Sequence, residues 1–181
     1  MKVKIKPRVL KGTIEIPPSK SYSHRAVIGA SLATSEKKSK ISNLKFSMDI
    51  KATMEIMENW GAKIIKGENS LEIIGNSGKI IPKDKYTKCS ESGSTIRFLI
   101  PVGLTSKNEL VFDGKGKLVD RPLDSYYKIF EKQGLFYETT DGKLPLTVNG
   151  ELKPGIYEID GNISSQFITG LLYALPLLNG D

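Results

Sequence analysis

The chain has 181 residues, of which 39% are hydrophobic and 26% charged, and its net charge is +7. This composition is typical of a soluble protein with one globular domain or two small ones. No apolar segment reaches the roughly 20 residues that span a membrane, and we expect no signal peptide. One cysteine and one histidine exclude an internal disulfide framework, argue against a zinc site and suit a cytoplasmic protein.

The positive charge is unevenly distributed. Residues 1–40 contain ten lysines and arginines against two glutamates, whereas the remainder carries a net charge of −1. A nucleic-acid-binding protein can look like this, but the chain lacks interleaved aromatic and basic residues and a helix-turn-helix pattern. Small anionic ligands, or simply a lysine-rich composition, explain the charge equally well.

The first predicted elements meet at a join rich in serine and positive charge. Thr13–Ile16 alternates as a strand does, two prolines end it, and an apolar helix is predicted over Ala26–Ala33. The join contains four polar side chains: Ser19, Lys20, Ser21 and Arg25. Either serine can cap the helix, and the free N–H groups of a helix start bind anions. Taken alone, the segment is better explained by an ordinary capped helix beside solvated charges than by an anion site.

The same organisation recurs after about 73 residues. Ser21 is matched by Ser94, and Gly61 by Gly134, each 73 positions later. Each unit is predicted to contain a strand, a polar join, a helix, a strand, an amphipathic helix and two final strands. The amphipathic helices are Asp49–Gly61 and Pro122–Gly134, and the final strand pairs are Ala62–Ile65 with Leu71–Ile74 and Leu135–Thr139 with Leu146–Val148.

A third unit opens with the predicted strand Ile156–Ile159 and continues through a predicted helix over Phe167–Leu178. The units cover about residues 11–82, 83–154 and 155–181, and the third lacks its second helix and final strands. The sequence therefore predicts an α/β or α+β fold of repeated β-α-β-α-β-β units. We also expect the chain to be part of a longer protein.

The second and third joins offer further groups for an anion. Gly93 allows close approach to the backbone, and Ser92, Ser94 and Thr95 supply hydroxyls or caps. The third join supplies uncharged hydrogen-bonding groups: Ser164, Ser165 and Gln166. Pro101 is expected to shorten or kink the helix that follows Gly93.

Repetition of the unit should place equivalent helix starts at one end of the domain. Arg121 lies at a predicted helix start, where a cation is unfavourable unless it is solvated or faces an anionic ligand. Four cations are thus expected around one cleft: Lys20, Arg25, Arg97 and Arg121. This cleft would suit a phosphate or carboxylate ligand.

Four segments, in order and spacing, resemble the signatures of the 5-enolpyruvylshikimate-3-phosphate (EPSP) synthase family: Pro18–Ala26, Ser92–Arg97, Asp120–Pro122 and Ser164–Thr169. The resemblance implies a two-domain enolpyruvyl transferase fold, an inverse α/β barrel with three repeated units in each domain. It also implies that residues 1–10 form a strand of the other domain and that residues 11–181 form the N-terminal substrate-binding domain.

The resemblance further implies a reaction and its ligands. The family transfers the enolpyruvyl group of phosphoenolpyruvate to the 5-hydroxyl of shikimate 3-phosphate, on the route to chorismate and aromatic amino acids. A tetrahedral intermediate forms, phosphate leaves, and neither a metal nor an organic cofactor takes part. The full-length enzyme is expected to be a monomer. Its acid–base groups lie in the other domain, so we expect this chain alone to be inactive.

The resemblance of these motifs assigns the family's site residues to matching positions in this sequence. Lys20 would contact both substrates as an electrostatic catalytic residue, and Arg97 would have a supporting role. Shikimate 3-phosphate would be held by Lys20, Ser21, Arg25, Ser164, Ser165 and Gln166. Phosphoenolpyruvate would be held by Lys20, Gly93, Arg121 and Gln166.

Three positions depart from the commonest family pattern. His24 and Glu91 stand where many members have asparagine, and Ser92 stands where many have alanine. Glu91 and Ser92 border the phosphoenolpyruvate loop, where they could alter affinity or inhibitor sensitivity. His24 is expected to be a neutral residue at the edge of the core.

A related alternative is an enolpyruvyl transferase acting on UDP-N-acetylglucosamine. That enzyme should have a Lys-Asn pair after its first strand and a reactive cysteine in a long loop. Here the pair is Lys20-Ser21, and Cys89 precedes a join. The other alternative is the basic nucleic-acid-binding repeat protein considered above.

Overall fold

The computed structural model describes residues 3–4, 6–9 and 11–180, and these residues form five helices and seven strands. The helices are α1 (Lys20–Leu32), α2 (Met48–Asn59), α3 (Gly93–Gly103), α4 (Asp124–Gln133) and α5 (Ser165–Ala174). The strands are β1 (Lys38–Ile41), β2 (Lys63–Lys66), β3 (Leu71–Ile74), β4 (Tyr86–Lys88), β5 (Leu110–Asp113), β6 (Phe136–Thr140) and β7 (Lys143–Asn149). The mixed α/β class is confirmed.

The strands form two sheets with related topology. The first has the order β1-β3-β2 and is antiparallel throughout. The second has the order β4-β5-β7-β6, in which only β4 and β5 run parallel. The order β5-β7-β6 repeats β1-β3-β2 at the corresponding sequence positions, so the repeat of about 73 residues is also a structural repeat.

Three helix starts share the same local structure. Helices α1, α3 and α5 begin at positions 20, 93 and 165, spaced by 73 and 72 residues. Each follows an N-cap serine whose hydroxyl oxygen accepts a backbone N–H of the first turn: Ser19, Ser92 and Ser164. Because α1 begins six residues before the predicted Ala26, Ser21 lies inside the helix and is not a cap.

Proline and glycine set the other helix ends in different ways. Pro101 lies inside α3, which continues past it and ends two residues later at Gly103; the expected kink at this proline stays a prediction. Helix α5 ends at Ala174 and a 3₁₀ turn over Leu175–Leu177 follows, four residues short of the predicted end at Leu178, since Pro176 cannot continue the helix. Gly134 ends α4 in the left-handed conformation, with φ of 67°, as its predicted role as a helix stop requires.

The two predicted strands that open the first and third units do not form. Thr13–Ile16 and Ile156–Ile159 belong to neither sheet, and Ile14 and Ile156 are 84% and 86% exposed. Their alternating pattern suits a strand, but a strand is held by a neighbour, as β5 holds β4 in the second unit. The predicted strand at residues 1–10 involves positions 1, 2, 5 and 10, which lie outside the described residues, so its assignment to another domain stays a prediction.

One large hydrophobic core joins the repeated units. It contains Trp60 from the first unit, Phe98, Phe112 and Phe130 from the second, and Phe167 from α5. A smaller cluster around Val27, Ile50 and Ile73 packs α1 and α2 against the first sheet. Through these cores the helices that carry the three joins are packed side by side. No helix in the described part of the chain is long and apolar enough to cross a membrane.

Candidate functional site

Lys20 lies in the first turn of α1, where it forms an ion pair with the start of α2. Its Nζ is 2.7 Å from Oδ2 of Asp49, a carboxylate in the first turn of that helix, where negative charge is favourable. Exposed ion pairs contribute only about 0–1 kcal/mol, so an anionic ligand could compete with Asp49 for Lys20. Asp49 was not predicted as a site residue, although it is the acid that opens a predicted helix.

Arg25 is held by groups from three helices. Its Nη1 donates to the carbonyl of Ser21 at 3.1 Å, and its Nη2 donates to Oγ1 of Thr169 in α5 at 3.0 Å. The guanidinium lies over the ring of Phe98 in α3, 5.0 Å from its centroid. The side chain therefore has a fixed position where α1, α3 and α5 meet.

Arg121 lies against the start of α3. A Cβ at Gly93 would collide with Nη1 of Arg121, so the guanidinium would have to shift if any other residue stood here. The role of Gly93 in making room for a ligand stays a prediction, and in the structure its open side faces this guanidinium. The first N–H groups of α3 and a cation share one location, where an anion would complement both.

Gln166 connects the third join to the second. Its Oε1 accepts from Nη1 of Arg97 at 3.0 Å, and its Nε2 donates to Oγ of Ser94 at 2.7 Å. Arg97 also lies over the ring of Phe167, and its carbonyl accepts from the hydroxyl of Tyr126. Arg97 thus fixes the Gln166 amide, as a supporting role predicts. The sequence did not point to Tyr126, which looked like an ordinary residue of an amphipathic helix.

The three predicted serines differ in what they do. Ser164 Oγ accepts the N–H of Gln166 at 3.3 Å and caps α5. Ser21 and Ser165 are exposed in the first turns of α1 and α5. The capping serine and an exposed serine hydroxyl thus lie at the N-terminal end of both α1 and α5. Arg25 connects these two helices through its hydrogen bond to Thr169.

The charge of the site is predominantly positive. Burial, and then the neighbouring charge of Arg121, lower the pKa of Arg97 below the ordinary value of an arginine. Within residues 3–4, 6–9 and 11–180, no group of three histidine, cysteine or acidic side chains could hold a metal ion. The arrangement can bind and orient anions through arginine, lysine and helix N–H groups.

Cys89 is not part of this site. It is fully buried, and burial raises the pKa of its thiol well above the ordinary value. Its Sγ lies 3.6 Å from the carbonyl of Thr87. A buried thiol of this kind is not the reactive loop cysteine that the alternative on UDP-N-acetylglucosamine requires.

Comparison with known proteins identifies the family to which the sequence is similar. Residues 5–181 match the family described as EPSP synthase (3-phosphoshikimate 1-carboxyvinyltransferase). The 3-phosphoshikimate 1-carboxyvinyltransferases of Clostridium kluyveri and Clostridium novyi are 54% and 52% identical to this chain over 179 and 187 residues. Each match covers 99% of this chain and 41% or 42% of the relative, so the chain spans about two-fifths of the relatives' length.

Solved structures show the same fold. EPSP synthase from Acinetobacter baumannii superposes with a TM-score of 0.81 at 24% identity, over 93% of this chain and 39% of that one. The enolpyruvyl transferase NikO from Streptomyces tendae superposes with a TM-score of 0.54 at 12% identity, over 86% of this chain and 36% of its own. The family match covers nearly the whole sequence and both structures share its fold, and the chain therefore belongs to the EPSP synthase family.

Proposed function

We propose that this chain forms one part of the substrate site of an enzyme that transfers an enolpyruvyl group from phosphoenolpyruvate to shikimate 3-phosphate. The observation that carries the proposal is the direct contact between the three joins, through Arg25 with Thr169 and through Gln166 with Ser94. Shikimate 3-phosphate would lie against six residues: Lys20, Ser21, Arg25, Ser164, Ser165 and Gln166. Phosphoenolpyruvate would lie against Lys20, Gly93, Arg121 and Gln166.

The reaction requires these residues to bring two anionic substrates together. The 5-hydroxyl oxygen of shikimate 3-phosphate bonds to C2 of phosphoenolpyruvate, while C3 gains a proton and the hydroxyl loses one. Phosphate then leaves C2, and C3 gives up a proton to restore the double bond. Cations and helix starts offset the repulsion between the substrates and hold them in reacting orientation. Lys20 would lie between the two substrates.

A titration of the chain with shikimate 3-phosphate, followed by amide NMR, tests the binding half of the proposal. Shifts should cluster at Lys20, Ser21, Arg25 and 164–166. Lys20→Met should weaken binding by about tenfold, equivalent to about 1.4 kcal/mol. Lys38→Met is the matched control, because Lys38 makes a similar exposed ion pair, 2.8 Å from Glu72, in the first sheet. If the wild-type chain shows no shifts at millimolar ligand, or if both variants weaken binding equally, the proposal is wrong.

The absence of turnover is a separate expectation. The proton-transferring groups are expected outside these residues, so the purified chain should release no phosphate from the two substrates above the uncatalysed rate. A phosphate-release assay measures this, and catalysed release would contradict the expectation. That the full-length protein is a cytoplasmic monomer without nucleic-acid or membrane partners also stays a prediction. Filter binding to DNA and RNA at two salt concentrations would test the nucleic-acid part.

A further inference from the structure

A chain of buried hydrogen bonds runs between α1, α2 and the start of α3. Nδ1 of His24 lies 2.8 Å from Oγ1 of Thr53, which lies 2.8 Å from Oγ1 of Thr95. Thr95 Oγ1 lies 2.7 Å from Oγ of Ser92. All four side chains are at most 1% exposed. Buried hydroxyls are costly unless their hydrogen bonds are made. This series of hydrogen bonds therefore fixes the backbones of α1, α2 and the start of α3 relative to one another.

The direction of donation along the chain follows from its ends. Ser92 Oγ accepts the backbone N–H of Thr95 as the cap of α3, and the Thr95 hydroxyl donates to the same oxygen. Thr95 Oγ1 then accepts from Thr53, and Thr53 Oγ1 accepts from Nδ1–H of His24. A neutral imidazole has one N–H, and Nε2 of His24 is buried without a hydrogen-bond partner among the residues that the structure describes. Placing the proton on Nδ1 therefore avoids a buried N–H without an acceptor.

Each residue of this hydrogen-bonded series lies within about one helical turn of a proposed substrate or ion-pair residue. His24 follows Lys20 by four positions in α1, and Thr53 follows Asp49 by four in α2. Ser92 directly precedes Gly93. The carbonyl of Asp49 also lies 3.3 Å from the Thr53 hydroxyl and 3.4 Å from that of Thr95. A displacement of any one member would thus move a residue of the anion site.

We propose that His24 is a positioning residue, which through Thr53, Thr95 and Ser92 sets the spacing between the α1 start at Lys20 and the α3 start at Gly93. The inference rests on the proposed function, because that spacing separates the groups assigned to the two substrates. His24 itself touches neither substrate. The alternative is that these residues only fill the core.

The single histidine allows a direct spectroscopic test. Because His24 is the only histidine in the chain, its ring ¹⁵N signals need no assignment. At pH 7 the protonated, pyrrole-like nitrogen should be Nδ1 and the unprotonated one Nε2. A ring protonated at Nε2 would overturn the proposal, because Nδ1 could then not begin the chain of donation.

Two variants of Thr53 separate hydrogen bonding from packing. Thr53→Val keeps the shape and loses the hydroxyl, and it should weaken shikimate 3-phosphate binding by about three- to tenfold and shift the Gly93 amide signal. Thr53→Ser keeps the hydroxyl and loses a methyl group, and it should restore affinity. If Thr53 only fills space in the core, Thr53→Val should bind shikimate 3-phosphate more tightly than Thr53→Ser. Thr87→Val is the matched control, since Thr87 is also fully buried but its hydroxyl has no hydrogen-bond partner within the described part of the chain.

Variants of His24 complete the test. His24→Asn can still donate from its amide at the Nδ1 position and should bind nearly as well as the wild type, whereas His24→Ala should bind as weakly as Thr53→Val. Far-UV circular dichroism identifies any variant that does not fold. If a Thr53 variant is lost in this way, the two His24 variants still test the inference, and the reverse also holds. If the wild type binds and Thr53→Val binds equally well, this inference fails while the proposed function stands. If the wild type does not bind shikimate 3-phosphate, the proposed function itself fails.

Discussion

Arg25 is held in a way that lysine could not reproduce. Its planar guanidinium donates to Ser21 and Thr169 from two different nitrogens and lies over the ring of Phe98. A lysine would keep the charge but lose the forked geometry and the stacking. The three helices therefore fix the position of this positive charge.

Arg25→Lys should weaken shikimate 3-phosphate binding by about tenfold without changing net charge, because the ammonium group cannot keep both hydrogen bonds. Isothermal titration calorimetry measures the affinity. Arg8→Lys, at an exposed position outside the three joins, is the control. Equal affinities for wild type and Arg25→Lys would show that charge alone matters at this position.

His24 should make folding stability depend on pH. Burial lowers the pKa of His24 from 6.5 to about 4, and the nearby charges of Lys20 and Arg25 lower it while Asp49 raises it. The unfolded chain therefore takes up the proton more readily, so the stabilisation is complete above pH 6.5 and is lost as the pH falls toward 4.

Urea unfolding at pH 7.0 and pH 4.5 measures this effect. From the two pKa values, the wild type should lose about 2–3 kcal/mol more than His24→Asn over this interval, because asparagine does not titrate. The carboxylates titrate in both proteins and cancel in the difference. Parallel losses in both proteins would mean that His24 is protonated as easily in the folded state as in the unfolded one.

Helices α3 and α5 approach closely because one residue between them has no side chain. A Cβ at Gly170 in α5 would collide with the carbonyl of Arg97 and lie 2.9 Å from Cγ of Pro101. These are backbone and ring atoms that cannot easily move. The close approach also lets Tyr126 reach the carbonyls of Arg97 and Phe167 with one hydroxyl.

Gly170→Ala should lower the free energy of unfolding by about 1–3 kcal/mol, the usual cost of overpacking a core. Gly29→Ala is the matched control, since Gly29 is also helical and its added Cβ would lie 3.8 Å from Tyr173, at ordinary contact distance. That control should be stabilised by up to about 1 kcal/mol through helix propensity. Chemical denaturation followed by circular dichroism measures both, and stabilisation of both variants would refute the close packing of α3 and α5.

The repeated units should unfold together, because they share one core. Trp60 in the first unit meets Phe112 of the second edge to face, with ring centroids 6.3 Å apart. Repeats that only stack side by side could unfold separately, whereas a shared core makes unfolding cooperative.

Phe130→Leu, on α4 of the second unit, tests this cooperation. The variant removes part of a buried ring that packs against Tyr126, Tyr127 and Tyr137, and it should cost about 1–3 kcal/mol. Fluorescence of Trp60, the only tryptophan, should report the lower midpoint even though Trp60 lies in the other unit. Leu172→Ala, at an exposed position of α5, is a control that should leave the midpoint unchanged. An unchanged Trp60 transition in Phe130→Leu would mean that the units unfold independently.

The sequence alone determined the local features of this protein. The strand Leu71–Ile74, the stop at Gly134, the cap at Ser19 and the recurrence of joins are encoded by neighbouring residues, and the structure confirms them. Hydrophobic period, capping and turn chemistry act over a few residues, and so they can be read without a structure. The family resemblance rested on the same short segments.

Only the tertiary structure decided which of these features meet. Thr13–Ile16 and Ile156–Ile159 have the strand pattern but no neighbouring strand among the described residues. A strand ladder needs backbone groups from elsewhere in the chain. In the same way, the contacts of Arg25 with Thr169, Lys20 with Asp49, and His24 with Thr53 join residues 144, 29 and 29 positions apart. Side-chain hydrogen bonds of this range depend on how the helices pack, and helix packing depends on the whole core rather than on any one segment.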